Sequence, residues 1–257
     1  MNIIGMIPAR MASTRFPGKP MAKIYGIPMI GHVYYRCKMC SLLTDVYVAT
    51  CDNEIYDYIE SIGGKAVMTV DTHERCSDRC AEGMLTVEQQ TGLRTDILAM
   101  IQGDEPMVYP EMISEALQPM LDDAGIMITN LLGEISSQEE FEDPNQVKVV
   151  VDPLGNALYF SREPIPSRKK YSGQIPMFKQ VPIIPFRRDF LIDYNRMEPT
   201  PLEIIESVDM MRIVENGLKV RMIKTKYATH AVDTADDLHH VEVLMAADRL
   251  VKSYERA

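Results

Sequence analysis

The sequence predicts an α/β fold with helices on both faces of a largely parallel sheet. Short apolar runs bounded by turn residues alternate with stretches in which apolar residues recur at helical spacing. This alternation begins at the first residues and continues through the first half of the chain, as in repeated βαβ units. After residue 147 the pattern changes to short runs separated by turns. With 257 residues, the chain can form one large domain or two small ones.

The first half supplies the elements of the parallel sheet in a regular order. Strands are predicted at "NIIGMIPA", "DVYVAT", "KAVMTV", "DILAMIQG" and "GIMITNL", and helices at "MIGHVYYRCKMC", "NEIYDYIESIG", "CSDRCAEGMLTVEQQ" and "PEMISEALQPML". Gly63 and Gly64 end the second helix, and Ser77 and Asp78 lie near the start of the third. Pro110 lies in the first turn of the fourth helix, where proline is favoured.

The second half predicts a smaller antiparallel part and two long helices. The runs "VKVVVD" and "ALYFSR" flank the turn "PLGN" and indicate a hairpin. The proline-rich, basic segment "EPIPSRKKYSGQIPMF" predicts a mobile loop. One amphipathic helix is expected at "LEIIESVDMMRIVENG", a strand at "KVRMIKT" and one C-terminal helix at "DTADDLHHVEVLMAADRLVKSYE".

Composition limits the classes of function. The formal net charge of -10 argues against a general nucleic-acid binder, which normally presents a basic face. It leaves room for a small anionic ligand held by a local cluster of cations. The sequence contains no run of about 18 apolar residues, so it predicts no membrane-spanning helix. The N-terminus lacks the features of a signal peptide, so we expect a cytoplasmic protein without membrane insertion.

The five cysteines allow two interpretations. Cys37 and Cys40 have the spacing of half a zinc site, and Cys76 with Cys80 could form the other half. Alternatively, Cys37 and Cys40 lie three residues apart on one helix and fill its buried face. We favour the second interpretation, because Cys76 and Cys80 have the i, i+4 spacing of a helix and lie in a stretch that we expect to bind a ligand.

The loop after the first strand concentrates positive charge in an acidic protein. In "IPARMASTRFPGKP", Arg10, Arg15 and Lys19 are separated by small and turn-forming residues. Ligands of open α/β sheets bind beyond the carboxyl ends of the strands, where this loop lies. Backbone N–H groups near Gly18 can approach an anion, and the guanidinium groups can bind phosphate oxygens in pairs. The loop therefore predicts a polyphosphate site, although a solvated basic loop is the alternative.

This loop matches neither of the two common nucleotide-binding motifs. Its spacing differs from G-x-x-x-x-G-K-[ST] of the P-loop and from G-x-G-x-x-G of dinucleotide-binding proteins. An ordinary ATPase or a nicotinamide-dependent enzyme is therefore not indicated.

Two further stretches could bring carboxylates to the same site. Asp104 and Glu105 in "IQGDEP" stand at the end of the fourth strand, and Asp233 in "HAVDTADDL" follows a short apolar segment. A carboxylate that faces a polyphosphate commonly holds Mg²⁺ between itself and the phosphate oxygens. The alternative for both stretches is helix capping, which the pattern from Asp233 to Asp236 resembles.

Taken together, these stretches resemble the CMP-Kdo synthetases, the cytidylyltransferases of 3-deoxy-octulosonate (Kdo). The resemblance covers nearly the whole chain in order. It rests on "IPARMASTRFPGKPM", "GHVYYR", "VYVAT", "GGKAVMT", "QGDEPM", "DPNQVKVVVD", "ALYFSREPIP", "PTPLEIIE" and "VDTADDL". The first and fifth pieces are specific for nucleotidyl transfer, and "ALYFSREPIP" is specific for this family within that class.

The resemblance implies a nucleotide-diphospho-sugar transferase type of Rossmann-like mixed sheet in a single domain. Residues 1–132 would mainly bind CTP, and 133–228 would mainly bind the acceptor and form a homodimer. Residues 229–257 would supply a metal-binding aspartate and the C-terminal helix. The acceptor oxygen would attack the α-phosphorus of CTP and release pyrophosphate, without a covalent enzyme intermediate.

It also implies roles for individual residues. Arg10, Lys19, Asp104 and Asp233 would be catalytic, and Asp104 and Asp233 would bind Mg²⁺. The CTP-binding set would be Pro8, Ala9, Arg10, Ala12, Ser13, Lys19, Ser77, Asp78, Arg79 and Gln102. The acceptor-binding set would be Arg15, Gln102, Arg162, Gln180, Ile184, Asp209 and Met210.

The chain departs from the family most clearly around "FKQVPIIPFRR". The family reads close to "RHLGIYGYR" there, so its histidine corresponds to Gln180 and its first tyrosine to Ile184. Further on, Asp209 and Met210 replace a glutamate and a glutamine. Since a pocket that loses hydrogen-bonding groups should bind a polyhydroxy sugar poorly, we hypothesise a changed acceptor. A modified sugar acid or a smaller anion such as a phosphonate would fit the retained cations, among them Arg162.

Two alternatives to this function stay open at this stage. One is a nucleotidyltransferase that uses another base or a sugar phosphate acceptor. The other is a non-catalytic nucleotide-binding or zinc-binding protein.

Overall fold

The computed structural model describes residues 1–13, 15–171 and 173–254. It divides the chain into two compact units. Unit 1 comprises the residues up to Ser114 and those from Thr229 onward, and unit 2 comprises Glu115–Ala228.

The strands and helices of the described residues are numbered in chain order. The strands are β1 (Ile3–Ala9), β2 (Lys23–Ile24), β3 (Ile27–Pro28), β4 (Asp45–Thr50), β5 (Ala66–Met68), β6 (Ile97–Ile101), β7 (Thr129–Glu134), β8 (Lys148–Val151), β9 (Ala157–Ser161), β10 (Phe178–Val181), β11 (Ile183–Arg187) and β12 (Arg221–Lys224). The helices are α1 (Met29–Lys38), α2 (Asn53–Ser61), α3 (Cys76–Thr91), α4 (Pro110–Asp122), α5 (Gln138–Glu142), α6 (Arg188–Arg196), α7 (Pro201–Glu206), α8 (Met210–Glu215), α9 (Ala235–Met245) and α10 (Val251–Tyr254).

Unit 1 contains the predicted parallel sheet. Four of its strands pair in the order β6, β1, β4, β5, and every pair is parallel. Each residue of β1 is buried, as expected for a parallel strand covered on both faces. Helices α1 and α3 pack against β1. The carboxyl ends of the parallel strands therefore meet at one edge, where the first basic loop begins.

Each strand and helix predicted for the first half has a counterpart within a few residues. The strand predicted at "GIMITNL" is β7, however, and its assignment to the parallel sheet is wrong, because β7 pairs with β12 and β10 in the sheet of unit 2. The small antiparallel pair of β2 and β3 was not predicted. These strands have only two residues each, which is too short for an alternation of apolar and polar residues to be recognised.

Unit 2 contains a mixed sheet in the order β12, β7, β10, β8, β9. The predicted hairpin is confirmed as the antiparallel pair of β8 and β9. Strand β7 pairs in parallel with β12 and antiparallel with β10. Strands β10 and β11 and helix α6 had no predicted counterpart, because Pro182 and Pro185 interrupt the apolar pattern there.

The single helix predicted at "LEIIESVDMMRIVENG" is wrong. It is divided into α7 and α8 at Ser207, whose φ of 51° and ψ of 49° are left-handed. The guanidinium of Arg162 donates to the carbonyl oxygens of Glu206, at 2.7 Å, and of Ser207, at 3.2 Å. These bonds satisfy carbonyls that a continuous helix would have used internally.

The single C-terminal helix is also wrong, since α9 ends at Met245 and α10 begins at Val251. Asp248 lies between them and accepts a hydrogen bond from the N–H of Leu250 at 2.8 Å, which competes with helical bonding. The predicted last helical residue, Glu255, lies outside the described residues. Helix α9 begins after Thr234, which forms a capping box with Asp237, so Thr234 rather than Asp233 is the N-cap.

Within the part of the chain that the structure describes, no helix combines the length and the apolar character that crossing a membrane requires.

Candidate active site

The basic loop after β1 is closed by hydrogen bonds at both ends. Asp52, directly beyond β4, accepts a bond from the N–H of Met11 at 2.8 Å. The carbonyl of Met11 accepts a bond from the N–H of Gly18 at 3.0 Å. Gly18 has a φ of 74°, which glycine adopts without strain. The chain then turns into a short 3₁₀ helix that begins at Lys19.

Lys19 lies between two carboxylates. Its Nζ donates to Oδ2 of Asp104 at 2.8 Å, to Oδ1 of Asp233 at 3.2 Å and to the carbonyl of Val232 at 3.0 Å. Burial lowers the pKa of Lys19, but the attraction of the two aspartates outweighs it, and the pKa is raised above its ordinary value. Lys19 is therefore charged throughout the neutral range.

The two aspartates reach Lys19 from distant parts of the chain. Asp104 follows β6, and its carbonyl accepts a bond from the N–H of Val232 at 2.9 Å. Asp233 precedes α9, and its N–H donates to Oδ2 of Asp237 at 3.0 Å. About a quarter of each aspartate side chain is exposed, so both carboxylates are accessible to a ligand.

The two arginines of the loop are more exposed than Lys19. Nη2 of Arg15 lies 2.9 Å from Oδ1 of Asp233, and half of the Arg15 side chain is exposed. Nη1 of Arg10 donates to the carbonyl of His73 at 3.5 Å, a long bond that leaves most of the guanidinium available. Both guanidinium groups can therefore turn toward an anion at low cost.

These groups surround one cavity of about 300 Å³ in unit 1, a volume typical of small-molecule sites. Its lining comprises Pro8, Ala9, Arg10, Ala12, Ser13, Arg15, Lys19, Pro20, Cys76, Gln102, Gly103, Asp104 and Asp233. The cavity brings together all the residues predicted for the triphosphate and the metal. It also contains Arg15 and Gln102, which were predicted for the acceptor.

The three predicted CTP-binding residues of α3 lie in its first turn. Ser77 and Arg79 are almost fully buried, and Asp78 is half-buried. Nη1 of Arg79 donates to Oγ1 of Thr69 at 2.5 Å, while its Nη2 is buried without a hydrogen-bond partner among the described residues. Arg79 lines a smaller cavity together with Arg10, and an unsatisfied buried donor there fits a polar ligand atom.

The predicted acceptor residues of unit 2 are engaged with the protein. The Arg162 guanidinium binds backbone carbonyls, including that of Pro144 at 2.9 Å. Nε2 of Gln180 donates to Oδ1 of Asn130 at 2.6 Å, and the Asn130 amide donates to the carbonyl of Val181 at 2.6 Å. The side chains of these residues therefore stabilise unit 2 in this state.

The two apolar residues predicted for the acceptor are buried. Ile184 on β11 and Met210 on α8 are almost completely buried. Asp209 precedes α8, and its carbonyl accepts a bond from the hydroxyl of Tyr194 at 3.1 Å. The substitutions at Ile184 and Met210 therefore concern buried side chains that pack in the interior of the protein.

The structure bears differently on the two metal sites considered from the sequence, the cysteine zinc site and the Mg²⁺ site of Asp104 and Asp233. Cys37, Cys40 and Cys80 are buried, and burial raises the pKa of the Cys37 and Cys80 thiols. This environment suits core packing and opposes the thiolate form that zinc requires. Among the described residues, no group of three or more His, Cys, Asp or Glu side chains is arranged to hold a metal ion. Asp104 and Asp233 form a pair that would need further ligands from outside the protein.

Pro20 lines the cavity without having been predicted, and three further residues of the site, Asp52, Gly103 and Cys76, were also missed. Asp52 orients the basic loop, and the sequence signal was an acidic residue directly after a strand. A side chain at Gly103 would lie 3.0 Å from the carbonyl of Pro8, so glycine allows the ends of β1 and β6 to approach. The thiol of Cys76 donates to Oε1 of Gln102 at 3.3 Å and lines the cavity.

Cations and carboxylates around one cavity, beyond the carboxyl ends of a parallel α/β sheet, are typical of enzymes that act on nucleoside triphosphates. The comparisons narrow this class. The model of a family described as cytidylyltransferase matches residues 4–223. The chain belongs to this cytidylyltransferase family, and within it to the CMP-Kdo synthetases, as the following relatives show.

The relatives match almost the full length of the chain. A 3-deoxy-manno-octulosonate cytidylyltransferase of Geobacter metallireducens is 42% identical over 94% of this chain and 96% of its own. The enzyme of the same name from Pelobacter propionicus is 44% identical over 93% and 95%. A structure of CMP:2-keto-3-deoxy-manno-octonic acid synthetase complexed with CTP has a TM-score of 0.87 at 38% identity, covering 96% of this chain and 99% of that one. The predicted fold class, the nucleotide-diphospho-sugar transferase fold, is confirmed.

Proposed function

We propose that this protein transfers the cytidylyl group of CTP to Kdo and releases pyrophosphate. The observation that carries the proposal is the single cavity that joins Arg10, Arg15 and Lys19 to Asp104 and Asp233. The names of the full-length relatives support CTP and Kdo as the substrates. A non-catalytic or zinc-binding role has no comparable support.

The triphosphate binds to the basic loop in this proposal. Arg10 binds phosphate oxygens with its guanidinium group, and Lys19 adds a fixed ammonium. The exposed Arg10 can reorient onto the ligand, whereas Lys19 is held in place by three hydrogen bonds. Pro8, Ala9, Ala12 and Ser13 allow the backbone to approach the nucleotide closely.

Asp104 and Asp233 are suited to hold Mg²⁺ together with the phosphates. The two carboxylates lie beside the ammonium group of Lys19, and each side chain is about a quarter exposed. They provide the oxygen ligands that Mg²⁺ prefers. Two protein carboxylates are also the usual number when substrate phosphates and water supply the other ligands. When bound, the metal supplies positive charge to the phosphate oxygens. The predicted Mg²⁺ dependence is part of this proposal.

The reaction is a direct displacement at phosphorus. An acceptor hydroxyl oxygen loses its proton to solvent water and forms a bond to the α-phosphorus of CTP, while the bond from that phosphorus to the bridging oxygen breaks and pyrophosphate leaves with that oxygen. Arg10 and Lys19 stabilise the charge that develops on the phosphate oxygens, and Arg15 orients the acceptor. Catalysis then depends on positioning and charge stabilisation, without a covalent enzyme intermediate.

The first turn of α3 provides the nucleoside contacts in this proposal. Ser77 and Asp78 lie there beside Arg79, whose buried Nη2 has no partner among the described residues. A cytosine oxygen or nitrogen would satisfy that donor. Gln102, which accepts from the thiol of Cys76 in the cavity, is placed to contact either substrate.

Arg162, Gln180 and Asp209 stay our predicted acceptor contacts. Because Ile184 and Met210 are almost completely buried, their replacement gives less support to a changed acceptor than the sequence alone suggested. Kdo is therefore our first candidate, and a modified sugar acid or a phosphonate is the alternative. Homodimerisation and a cytoplasmic location stay predictions.

A nucleotide panel tests the proposal. Pyrophosphate release is measured with Kdo and Mg²⁺ in the presence of CTP, UTP, dTTP or ATP. We expect release with CTP at least about 100-fold faster than with the other nucleotides, because base contacts are made by fixed hydrogen-bonding groups. Equal rates with all four, or release without an acceptor, would contradict the assignment.

A further inference from the structure

A buried polar cluster in unit 1 takes no part in the proposed chemistry. It consists of His32 and Arg36 on α1, Asp248 and Tyr254, and we call it the C-terminal anchor. His32 and Arg36 are fully buried, and Asp248 and Tyr254 almost so. Nη2 of Arg36 donates to Oδ2 of Asp248, and Nε of Arg36 donates to the Tyr254 hydroxyl at 3.0 Å.

The hydrogen bonds of the anchor fix a single arrangement. Since the Tyr254 hydroxyl accepts from Arg36, its own proton is available to Nδ1 of His32, 3.0 Å away. Nε2 of His32 then donates to the carbonyl of Ile24 at 2.9 Å. The Tyr254 ring also stacks on Tyr35, with 5.2 Å between the ring centroids. Tyr254 is therefore held by polar and apolar contacts together.

The anchor is continuous with an apolar cluster that reaches the active site. Tyr254 belongs to the same buried cluster as Met245 and Val241 on α9 and as Val232. Val232 is fully buried and immediately precedes Asp233. The position of Tyr254 thus bears on the packing of α9 and of the residue before the metal-binding carboxylate.

Val232 in turn is joined to the site through both of its backbone groups. Its N–H donates to the carbonyl of Asp104 at 2.9 Å, and its carbonyl accepts from Nζ of Lys19 at 3.0 Å. A shift of Val232 would therefore move Asp233 relative to Asp104 and Lys19.

We propose that Tyr254 is a positioning residue that holds Asp233 in the geometry needed to bind Mg²⁺ with CTP. This inference rests on the proposed function, because it takes Asp233 as a metal ligand. Tyr254 acts through the apolar cluster and Val232, and it touches no substrate.

The test measures how much Mg²⁺ strengthens the binding of CTP. Calorimetric titration gives the dissociation constant of CTP without and with saturating Mg²⁺, and the ratio of the two is the readout. Tyr254→Ala should reduce this ratio about ten-fold, while the metal-free affinity changes little. Tyr254→Phe keeps the ring and should reduce it about three-fold. Ser253→Ala, which removes an exposed hydroxyl of α10 that donates to the carbonyl of Leu250, is the matched control.

The variant Asp233→Asn distinguishes the metal-binding role of Asp233 from the positioning role of Tyr254. If Asp233→Asn abolishes the Mg²⁺ effect but neither Tyr254 variant changes the ratio, the positioning role is overturned and the metal role stands. If Asp233→Asn leaves the ratio unchanged, the metal role fails and the role of Tyr254 fails with it. Each variant is measured well below its own Tm. Should Tyr254→Ala fail to fold, an unchanged ratio in Tyr254→Phe overturns the inference.

Discussion

Lys19 has a double role in this site. Without a nucleotide its ammonium neutralises Asp104 and Asp233, which would otherwise repel each other. In the proposed function, the same ammonium faces the phosphates when a nucleotide is bound. A lysine is suited to this because it is a compact point charge that can serve several oxygens at once.

Replacing Lys19 with methionine should abolish most of the activity. The variant keeps the length of the side chain and loses the charge, so kcat/KM for CTP should fall about 100-fold to 1,000-fold. Lys23→Met, at an exposed lysine in β2, is the control and should keep normal activity. Steady-state pyrophosphate release measures both. A Lys19→Met variant with half of the normal kcat/KM would refute the role.

The residues of the cavity were largely predictable because chemistry identifies them one at a time. Arginines and lysine between turn residues, and aspartates after strands, indicate polyphosphate and metal binding wherever they occur. The partners of these groups were not predictable. The bond of Asp52 to Met11 and that of Lys19 to Val232 join positions distant in the chain, which only the fold brings together.

At the scale of elements, the break between α7 and α8 shows where periodicity fails. The apolar spacing continues across Ser207, but Ser207 is left-handed and the carbonyls around it bind Arg162. A local sequence pattern contains no information about the guanidinium of Arg162, which follows β9 and is distant in the chain. The parallel strands of unit 1 were easier to predict from the sequence. A strand that is buried on both faces of a sheet is a nearly continuous apolar run, which is visible in the sequence.

Replacing Ser207 with glycine should stabilise the protein. The left-handed backbone costs an L-residue about 1–2 kcal/mol, and glycine avoids it while gaining backbone freedom in the unfolded state. We expect a net gain of about 0.5–1 kcal/mol in the free energy of unfolding, measured with urea. Ser207→Ala keeps the strain and is the control. Equal stability of the two variants would contradict this prediction, since the relief of strain would then be no larger than the cost of the added freedom of the unfolded chain.

At the scale of the whole molecule, positive charge is concentrated at the candidate active site of an otherwise acidic protein. The chain carries a net charge of -10, yet three cations gather at one cavity because a triphosphate needs a local positive site. The net charge of this chain therefore argues against extended polyanions as partners and is compatible with small anions. The acceptor is harder to predict from sequence, because in the proposed function its specificity would depend on which polar groups around it stay unpaired.

The measurement that tests the central claim most directly is product analysis with CTP, Mg²⁺ and a panel of acceptors. The panel contains Kdo, its 8-amino analogue, sialic-type acids and small phosphonates, and mass spectrometry identifies each CMP-linked product. The account predicts CMP-Kdo and an equal amount of pyrophosphate, with Kdo the fastest acceptor. Pyrophosphate release with a phosphonate or another acid, and none with Kdo, would contradict it.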